Sequence, residues 1–247
     1  MVGRAEKGAP LRGQDGTAMP QACAVCGVRS LTVCAPLDCN ALSVIDSIAV
    51  RLSFAPGQTI FDEGEPARHV FNVTEGAVKV FKLLADGRRQ VTGFLFAGDF
   101  LGLASGEAYA YSAEALAKTK LCRFPRRELD RMLQRFPEME RRLLEIAGHE
   151  LAEAQDQMLL LGRKTARERI ASFLLNLSRR AKAGGRQANP LHLPMSRSDI
   201  ADYLGLTTET VSRTITKLRG EALIELQEGG FVKLLDRDAL AQAAEPI

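Results

Sequence analysis

The sequence predicts an α+β fold: an antiparallel β-roll or jelly roll, then a long helix, then a winged helix-turn-helix. Three patterns predict it. Short apolar runs separated by glycines fill Phe54 to Phe124, and a helical period continues from Glu128 to Gly162. Two short helical patterns then meet at Gly205 and precede alternating residues around Gly229-Gly230. A chain of 247 residues is long enough for more than one such unit.

The first segment, residues 1–19, is predicted to be a disordered tail. It is rich in glycine, alanine and charge, and its apolar residues follow no period. It contains no apolar run typical of a signal peptide, and no later segment approaches the roughly 20 apolar residues of a membrane helix. We therefore expect a cytoplasmic protein that has no membrane partner.

Residues 20–40 form a loop in which Cys23, Cys26 and Cys34 are spaced C-x2-C-x7-C. Cys39 follows closely, and Cys122 lies far downstream. Thiolates are soft ligands that select zinc or iron–sulfur clusters, so this spacing predicts a metal site whose fourth ligand comes from elsewhere. Chance clustering and a structural disulfide are the alternatives, and a reducing compartment disfavours the disulfide.

A short helix is predicted after this loop. Apolar residues recur at helical spacing from Leu42 to Leu52, and Asn40 or Ser43 can cap the first turn.

Residues 41–127 are predicted to form the β-roll, because turn signals recur about every ten residues. Alternation places Val78 and Val80 on one face of a strand and Lys79 on the other. The pair Asp86-Gly87 is typical of a hairpin turn, which requires the positive φ that glycine accepts.

Residues 128–163 are predicted to be a dimerisation helix. Six apolar residues follow each other at steps of three and four, which is the seam of a two-stranded coiled coil. A helix packed on the β-roll is the alternative, but polar neighbours favour a homodimer. The seam residues are Leu144, Ala147, Leu151, Ala154, Met158 and Leu161.

Residues 164–247 are predicted to be a DNA-binding domain. The stretch from Arg163 to Arg219 contains twelve basic and four acidic residues, an excess typical of surfaces that meet phosphates. A helix from Thr165 to Arg180 precedes the helix-turn-helix, whose first helix is capped by Ser196 and whose second is capped by Thr207 or Thr208.

The second helix should enter the major groove of double-stranded DNA. Glu209 can accept a hydrogen bond from cytosine N4, Arg213 can bind guanine O6 and N7, and Ser212 can touch a neighbouring base. The predicted DNA-binding residues are Arg197, Thr208, Glu209, Ser212, Arg213 and Lys217.

Three stretches resemble the bacterial CRP/FNR superfamily of transcription factors, and the resemblance covers nearly the whole chain after the tail. Leu204 to Arg213 is similar to the family's recognition helix, and Asn176 to Arg180 and Gln90 to Phe94 are similar to FNR-type members in particular. The resemblance implies a homodimeric regulator that binds palindromic TTGAT-N4-ATCAA-like promoter sites. It also implies contact with RNA polymerase.

The cysteines resemble those of FNR-type, FnrL-like oxygen sensors. That resemblance implies a [4Fe–4S] cluster held by Cys23, Cys26, Cys34 and Cys122, with Cys39 as an alternative to Cys34. Members that bind cyclic AMP carry an Arg-Ser pair where this chain has Tyr111-Ser112. The chain also departs from related oxygen sensors, which have a carboxylate in the seam where Ala154 stands, so the dimer is expected to be more permanent.

Two other functions are alternatives to an oxygen-sensing regulator. The β-roll of a DNA-binding regulator can sense a small ligand, or the cysteines can bind zinc instead of a cluster. An iron–sulfur enzyme or electron carrier is disfavoured, because His69, His149 and His192 have no catalytic partner at motif spacing. We therefore expect that the protein is not an enzyme.

Overall fold

The computed structural model describes residues 18–103 and 106–245. The predicted disordered tail, apart from its last two residues, lies outside these ranges. The helices of the described chain are α1 (Gln21–Ala24), α2 (Cys39–Ile48), α3 (Arg126–Arg135), α4 (Pro137–Arg163), α5 (Ala166–Ala183), α6 (Arg197–Leu204), α7 (Thr208–Gly220) and α8 (Arg237–Gln242). The strands are β1 (Val50–Phe54), β2 (Thr59–Phe61), β3 (His69–Glu75), β4 (Ala77–Leu83), β5 (Arg89–Phe96), β6 (Phe100–Leu101), β7 (Ser112–Ala115), β8 (Thr119–Pro125), β9 (Leu191–His192), β10 (Ile224–Gln227) and β11 (Phe231–Leu234).

The predicted fold class is confirmed. Eight strands form two antiparallel sheets, in the orders β1-β8-β3-β6 and β2-β7-β4-β5. Side chains from both sheets share one core, in which Phe71 and Leu121 of the first sheet pack with Val78 and Leu95 of the second. At the C-terminal end, β10 and β11 form the hairpin, and β9 adds a third strand to it.

The helix after the cysteine loop begins and ends earlier than predicted. Asp38 caps α2, because its carboxylate accepts a hydrogen bond from the Ala41 N–H at 2.8 Å, whereas Asn40 and Ser43 lie inside the helix. The helix ends at Ile48, and Leu52 belongs to β1, where it pairs with Leu121 of β8. Strand pairing therefore overrides the helical spacing of the last apolar residue.

The long predicted helix is two helices. It is interrupted at Phe136, whose φ of −127° and ψ of 84° are not helical, and α4 starts at Pro137. A proline ring disfavours the helical conformation in the preceding residue, but it is well placed in the first turn of a new helix. The helix that carries the predicted seam is therefore α4.

Lys79 points away from Val78 and Val80 as predicted, but the side it faces is covered by α6. Its ammonium lies 2.8 Å from Glu114 Oε1 and 3.0 Å from Asp199 Oδ1, and its side chain is only 6% exposed. Arg89 adds a second cation, which lies 3.0 Å from the same Asp199 oxygen. The first helix of the helix-turn-helix is thus held on the β-roll by buried ion pairs.

The surroundings of Asp199 favour the charged form of its carboxyl group. Burial acts to raise its pKa, but hydrogen bonds from Ser196 and Lys79 outweigh burial and hold that pKa below the usual value. A carboxyl group with a lowered pKa stabilises the fold above its ordinary titration range and loses that contribution as the pH falls. The ion pairs therefore remain intact at neutral pH. Their contribution to stability is lost as the pH falls from the ordinary titration range of aspartate, at about pH 4, through the lower pKa of the folded state.

We expect Lys79→Met to lower the free energy of unfolding by about 2–3 kcal/mol, because it leaves the buried Asp199 carboxylate with Arg89 as its remaining cation and removes the lysine from the partly exposed Glu114. Urea unfolding measures this change. Lys82→Met on the same strand is the matched control, since Lys82 pairs with Glu63 but is half exposed, and it should cost less than about 0.5 kcal/mol. Equal losses in the two variants would contradict a structural role for the buried pair.

Candidate cysteine cavity and nucleic-acid interface

The structure brings four of the cysteines to one cavity of about 500 Å³. Cys23 lies on α1, Cys26 follows that helix, and Cys34 follows a short 3₁₀ turn at Arg29–Leu31. Cys122 reaches the same cavity from β8. Residues that are nearly a hundred positions apart are therefore neighbours, as the predicted ligand set requires.

Cys39 is placed differently. It is the first residue of α2, it is buried, and it is not among the residues that line the cavity. The five cysteines form no disulfide. Of the two candidates for the third ligand, Cys34 is the one that faces the other three thiols.

The four thiols share a cavity but do not converge on one point. Within the described ranges, no three cysteine, histidine or acidic side chains are close enough to hold a single metal ion. A zinc ion requires its sulfur ligands about 2.3 Å from one centre, whereas an iron–sulfur cluster takes its cysteines at separate irons. Four thiols that line one cavity are a donor set of the kind that an iron–sulfur cluster uses.

Burial dominates the electrostatics of this cavity. It raises the pKa of Cys34 to about 12 and the pKa values of Cys23 and Cys122 to about 11. The positive charge of Arg51 opposes this increase in pKa at Cys23 and Cys122. Arg51 also forms an ion pair with Asp46. The Asp46 carboxylate accepts a hydrogen bond from Cys23 Sγ at 3.7 Å. These thiols therefore carry protons in the metal-free chain and would have to release them to bind a metal.

Two polar residues of the cavity were not predicted from the sequence. Arg51 on β1 and Asn72 on β3 are the direct cross-strand partners of Cys122 on β8. Both line the cavity with the thiols. Only the register of three strands reveals them, because neither residue is close to a cysteine in the sequence.

The helix-turn-helix has the predicted geometry. Ser196 caps α6 in a capping box with Asp199, and α6 ends at Gly205, whose φ of 62° and ψ of 43° are left-handed. Thr207 caps α7 and accepts a hydrogen bond from the Thr210 N–H. Val211, Ile215 and Leu218 form its buried side.

The opposite side of α7 is open to solvent. All five predicted contact residues of this helix are exposed, and they are Thr208, Glu209, Ser212, Arg213 and Lys217. Arg213 lies 3.7 Å from Glu209, an i to i+4 pair that leaves the arginine side chain 72% exposed. Arg197, the sixth predicted residue, starts α6 and is half-buried.

Some of the basic residues counted in the sequence hold the fold together instead. Arg169 donates to the Leu204 and Leu161 carbonyls at 2.8 and 2.9 Å, which fixes the turn between the two helices. Arg180 lies 2.7 Å from Asp99 of the β-roll. The positive charge available to phosphates is therefore smaller than the composition of the segment indicates.

The predicted dimer seam lies on a helix that the rest of the chain leaves largely uncovered, since Met139 is the only buried residue described on α4. Leu144, Leu151 and Met158 are exposed apolar side chains, and Ala154 is exposed as well. Ala147 is half-buried, and so is Leu161, which lies next to Gly205. A row of exposed leucine and methionine side chains is typical of a surface that another chain covers.

A β-roll joined through a long helix to a winged helix-turn-helix defines the class of the protein as a DNA-binding regulator with a separate β-roll domain. Residues 51–136 match the family described as the cyclic nucleotide-binding domain, and residues 168–243 match the Crp-like helix-turn-helix domain.

The chain belongs to the CRP/FNR family of transcriptional regulators, as the sequence patterns indicated. It is 42% identical over 224 residues to the nitrogen fixation regulation protein FixK of Bradyrhizobium diazoefficiens, a match that covers 90% of this chain and 94% of that protein. It is 38% identical to the transcriptional activator protein FnrL of Cereibacter sphaeroides, over 90% of this chain and 91% of that one.

Among solved structures, FixK2 from Bradyrhizobium japonicum is similar at a TM-score of 0.75 and 40% identity, covering 81% of this chain and 99% of that one. Regulators of this family bind DNA and act as dimers. Its members are not enzymes, which agrees with the prediction for this chain. None of the described helices is long and apolar enough to cross a membrane.

Proposed function

We propose that this protein is an oxygen-responsive transcriptional regulator that binds a [4Fe–4S] cluster through Cys23, Cys26, Cys34 and Cys122. The observation that carries the proposal is the shared cavity, in which the N-terminal cysteine segment supplies three thiols and a strand of the β-roll supplies the fourth. Family membership alone does not assign a cluster. The donor set supports one, because four thiols around one cavity match iron–sulfur chemistry.

The cysteine loop is connected to the predicted dimer helix. Val33 and Cys34 belong to the same apolar cluster as Met139 of α4. Arg142 of α4 donates a hydrogen bond to the Leu31 carbonyl at 2.8 Å. A bound cluster would supply oxygen-labile bonds between this loop and β8. The segment that those bonds would hold packs against the start of α4.

We propose that the protein binds DNA as a homodimer. Two copies of α4 pair along Leu144, Leu151 and Met158, which places two α7 helices in successive major grooves of a palindrome. Arg213 then reads guanine and Glu209 reads cytosine in each TTGAT half-site. We further propose that the bound dimer activates transcription through contact with RNA polymerase, as the name of FnrL indicates an activator.

Binding to a TTGAT-N4-ATCAA duplex, measured for anaerobic and air-exposed protein side by side, tests the proposed function. We expect the anaerobic protein to contain iron and sulfide and to bind the duplex at least tenfold more tightly than the air-exposed protein, because the loop is then tied to β8. An iron-free protein that binds equally well in air would refute oxygen sensing.

A second candidate is a regulator of the same family that senses a small ligand or zinc. The β-roll offers little support for a cyclic nucleotide, since Tyr111 stands where a phosphate-binding arginine is needed and its ring lies 5.9 Å from Phe61. The Tyr111 hydroxyl accepts a hydrogen bond from the Gly102 N–H at 3.3 Å. This candidate predicts air-stable DNA binding that changes when ligand or zinc is titrated.

We expect Leu151→Glu to convert the dimer to a monomer. Leu151 is 60% exposed in the single chain and lies at the centre of the predicted seam, so a carboxylate there places two like charges against each other in the dimer. Sedimentation at several concentrations measures the state of assembly. Glu145→Gln on the same helix is the control, because Glu145 pairs with Arg142 away from the seam, and it should leave the dimer intact.

A further inference from the structure

Asn72 is an unusual residue for the interior of a β-roll. It lies on β3, it is only 2% exposed, and it lines the cavity that contains the four thiols. Its Nδ2 donates a hydrogen bond to Cys34 Sγ at 3.7 Å, while its Oδ1 has no hydrogen-bond partner within the described chain. An unsatisfied buried acceptor destabilises a fold, so stability alone does not account for an amide at this position.

The strand register gives the amide its place in the cavity. Asn72 is the cross-strand partner of Cys122 on β8, and it donates to Cys34 from the loop. It therefore lies between the thiol that the β-roll supplies and the last of the three thiols that the loop supplies. An N–H donor strengthens its hydrogen bond when the acceptor becomes charged, as a sulfur does when it changes from thiol to metal-bound thiolate.

We infer that Asn72 is a positioning residue for the cluster site. Its amide N–H orients Cys34 Sγ into the cavity and stabilises that sulfur as a ligand, which couples the loop to β3 as well as to β8. The inference rests on the proposed function, because it assigns a role toward the same cluster. Groups that hydrogen-bond to a ligand fix its orientation and tune the reduction potential of the metal centre.

Asn72→Leu separates this role from a structural one. A structural role predicts a lower melting temperature of the metal-free variant, whereas a positioning role predicts an equal or higher one. Leucine has a similar size and no unsatisfied acceptor, so the metal-free variant should have a melting temperature equal to or above that of the wild type. The cluster-loaded variant should lose iron to a chelator under argon about tenfold faster than the wild type. Tenfold is the lower end of the effect expected when a residue that hydrogen-bonds to a metal ligand is removed. Its cluster should also have a more negative reduction potential, because a donor to sulfur is missing.

Thr74→Val is the matched control. Thr74 lies on the same strand and lines the same cavity, but its hydroxyl donates to the Lys120 carbonyl at 2.9 Å and not to a cysteine. Its iron loss and its reduction potential should equal those of the wild type. Asn72→Ala removes the same amide without requiring a branched side chain to fit, and it serves if the leucine variant does not fold.

Wild-type rates of iron loss in both Asn72 variants would overturn the inference. Iron loss that is no faster than unfolding of the same variant would also overturn it, because that result defines a structural residue. If the wild-type protein itself assembles no iron and sulfide, the proposed function fails together with the inference. A loaded wild type combined with unchanged Asn72 variants refutes the inference alone.

Discussion

Cys34→Ser should abolish the stable cluster, whereas Cys39→Ser should retain it. Cys34 faces the cavity with Cys23, Cys26 and Cys122, while Cys39 begins α2 and does not line that cavity. A serine hydroxyl is a hard and weakly acidic ligand that replaces a thiolate poorly at iron. Iron and sulfide content after anaerobic reconstitution, together with visible absorbance, measures the difference, and we expect a loss of at least tenfold in Cys34→Ser only.

Cys39→Ser serves as the matched control, because both substitutions remove one buried thiol from neighbouring positions. The two metal-free variants should have similar melting temperatures, which separates loss of a ligand from loss of the fold. The opposite pattern, with the cluster lost in Cys39→Ser and kept in Cys34→Ser, would show that the loop rearranges to present a different ligand.

Arg213→Ala should weaken specific DNA binding by about a hundredfold. One bidentate contact between arginine and guanine contributes about 1–3 kcal/mol, and a dimer on a palindrome loses two of them. The Arg213 side chain is 72% exposed and its salt bridge with Glu209 is on the surface, so the substitution should change the free energy of unfolding by less than about 0.5 kcal/mol. A gel shift with the TTGAT-N4-ATCAA duplex measures the loss.

Lys217→Ala is the control for this experiment, since Lys217 is exposed further along α7 and is placed for phosphate contact. It should weaken binding to matched and mismatched duplexes by a similar factor and reduce the salt dependence. Arg213→Ala should instead remove most of the preference for the G·C pair. An Arg213→Ala protein that still discriminates against a substituted G·C pair would place base recognition in a different residue.

The helix-turn-helix is the part that local sequence predicts best. Caps at Ser196 and Thr207, a left-handed Gly205 and apolar residues at helical spacing are local features, and the structure retains each of them. The cysteine spacing likewise identifies the three loop thiols. Its fourth member, Cys122, came from resemblance to a family, because no local pattern connects it to the loop.

Other features depend on contacts that sequence patterns do not contain. Alternation predicts the side of the sheet on which Lys79 lies. It does not predict that α6 covers this side and buries the lysine with Asp199. Helical spacing extended α2 to Leu52, whereas pairing with β8 assigns that residue to β1. In both cases a distant segment decides the environment of the residue.

The sequence by itself determined the class of protein, the recognition helix and a thiol-rich loop, because capping, periodicity and residue spacing act within a few turns of chain. The tertiary structure decided which thiols share a cavity and which polar groups surround them. Strand register placed Arg51 and Asn72 beside Cys122, and the packing of the loop on β3 placed Cys34 against Asn72. Register and packing are fixed by burial of whole sheets and helices, so they arise only when the chain is folded.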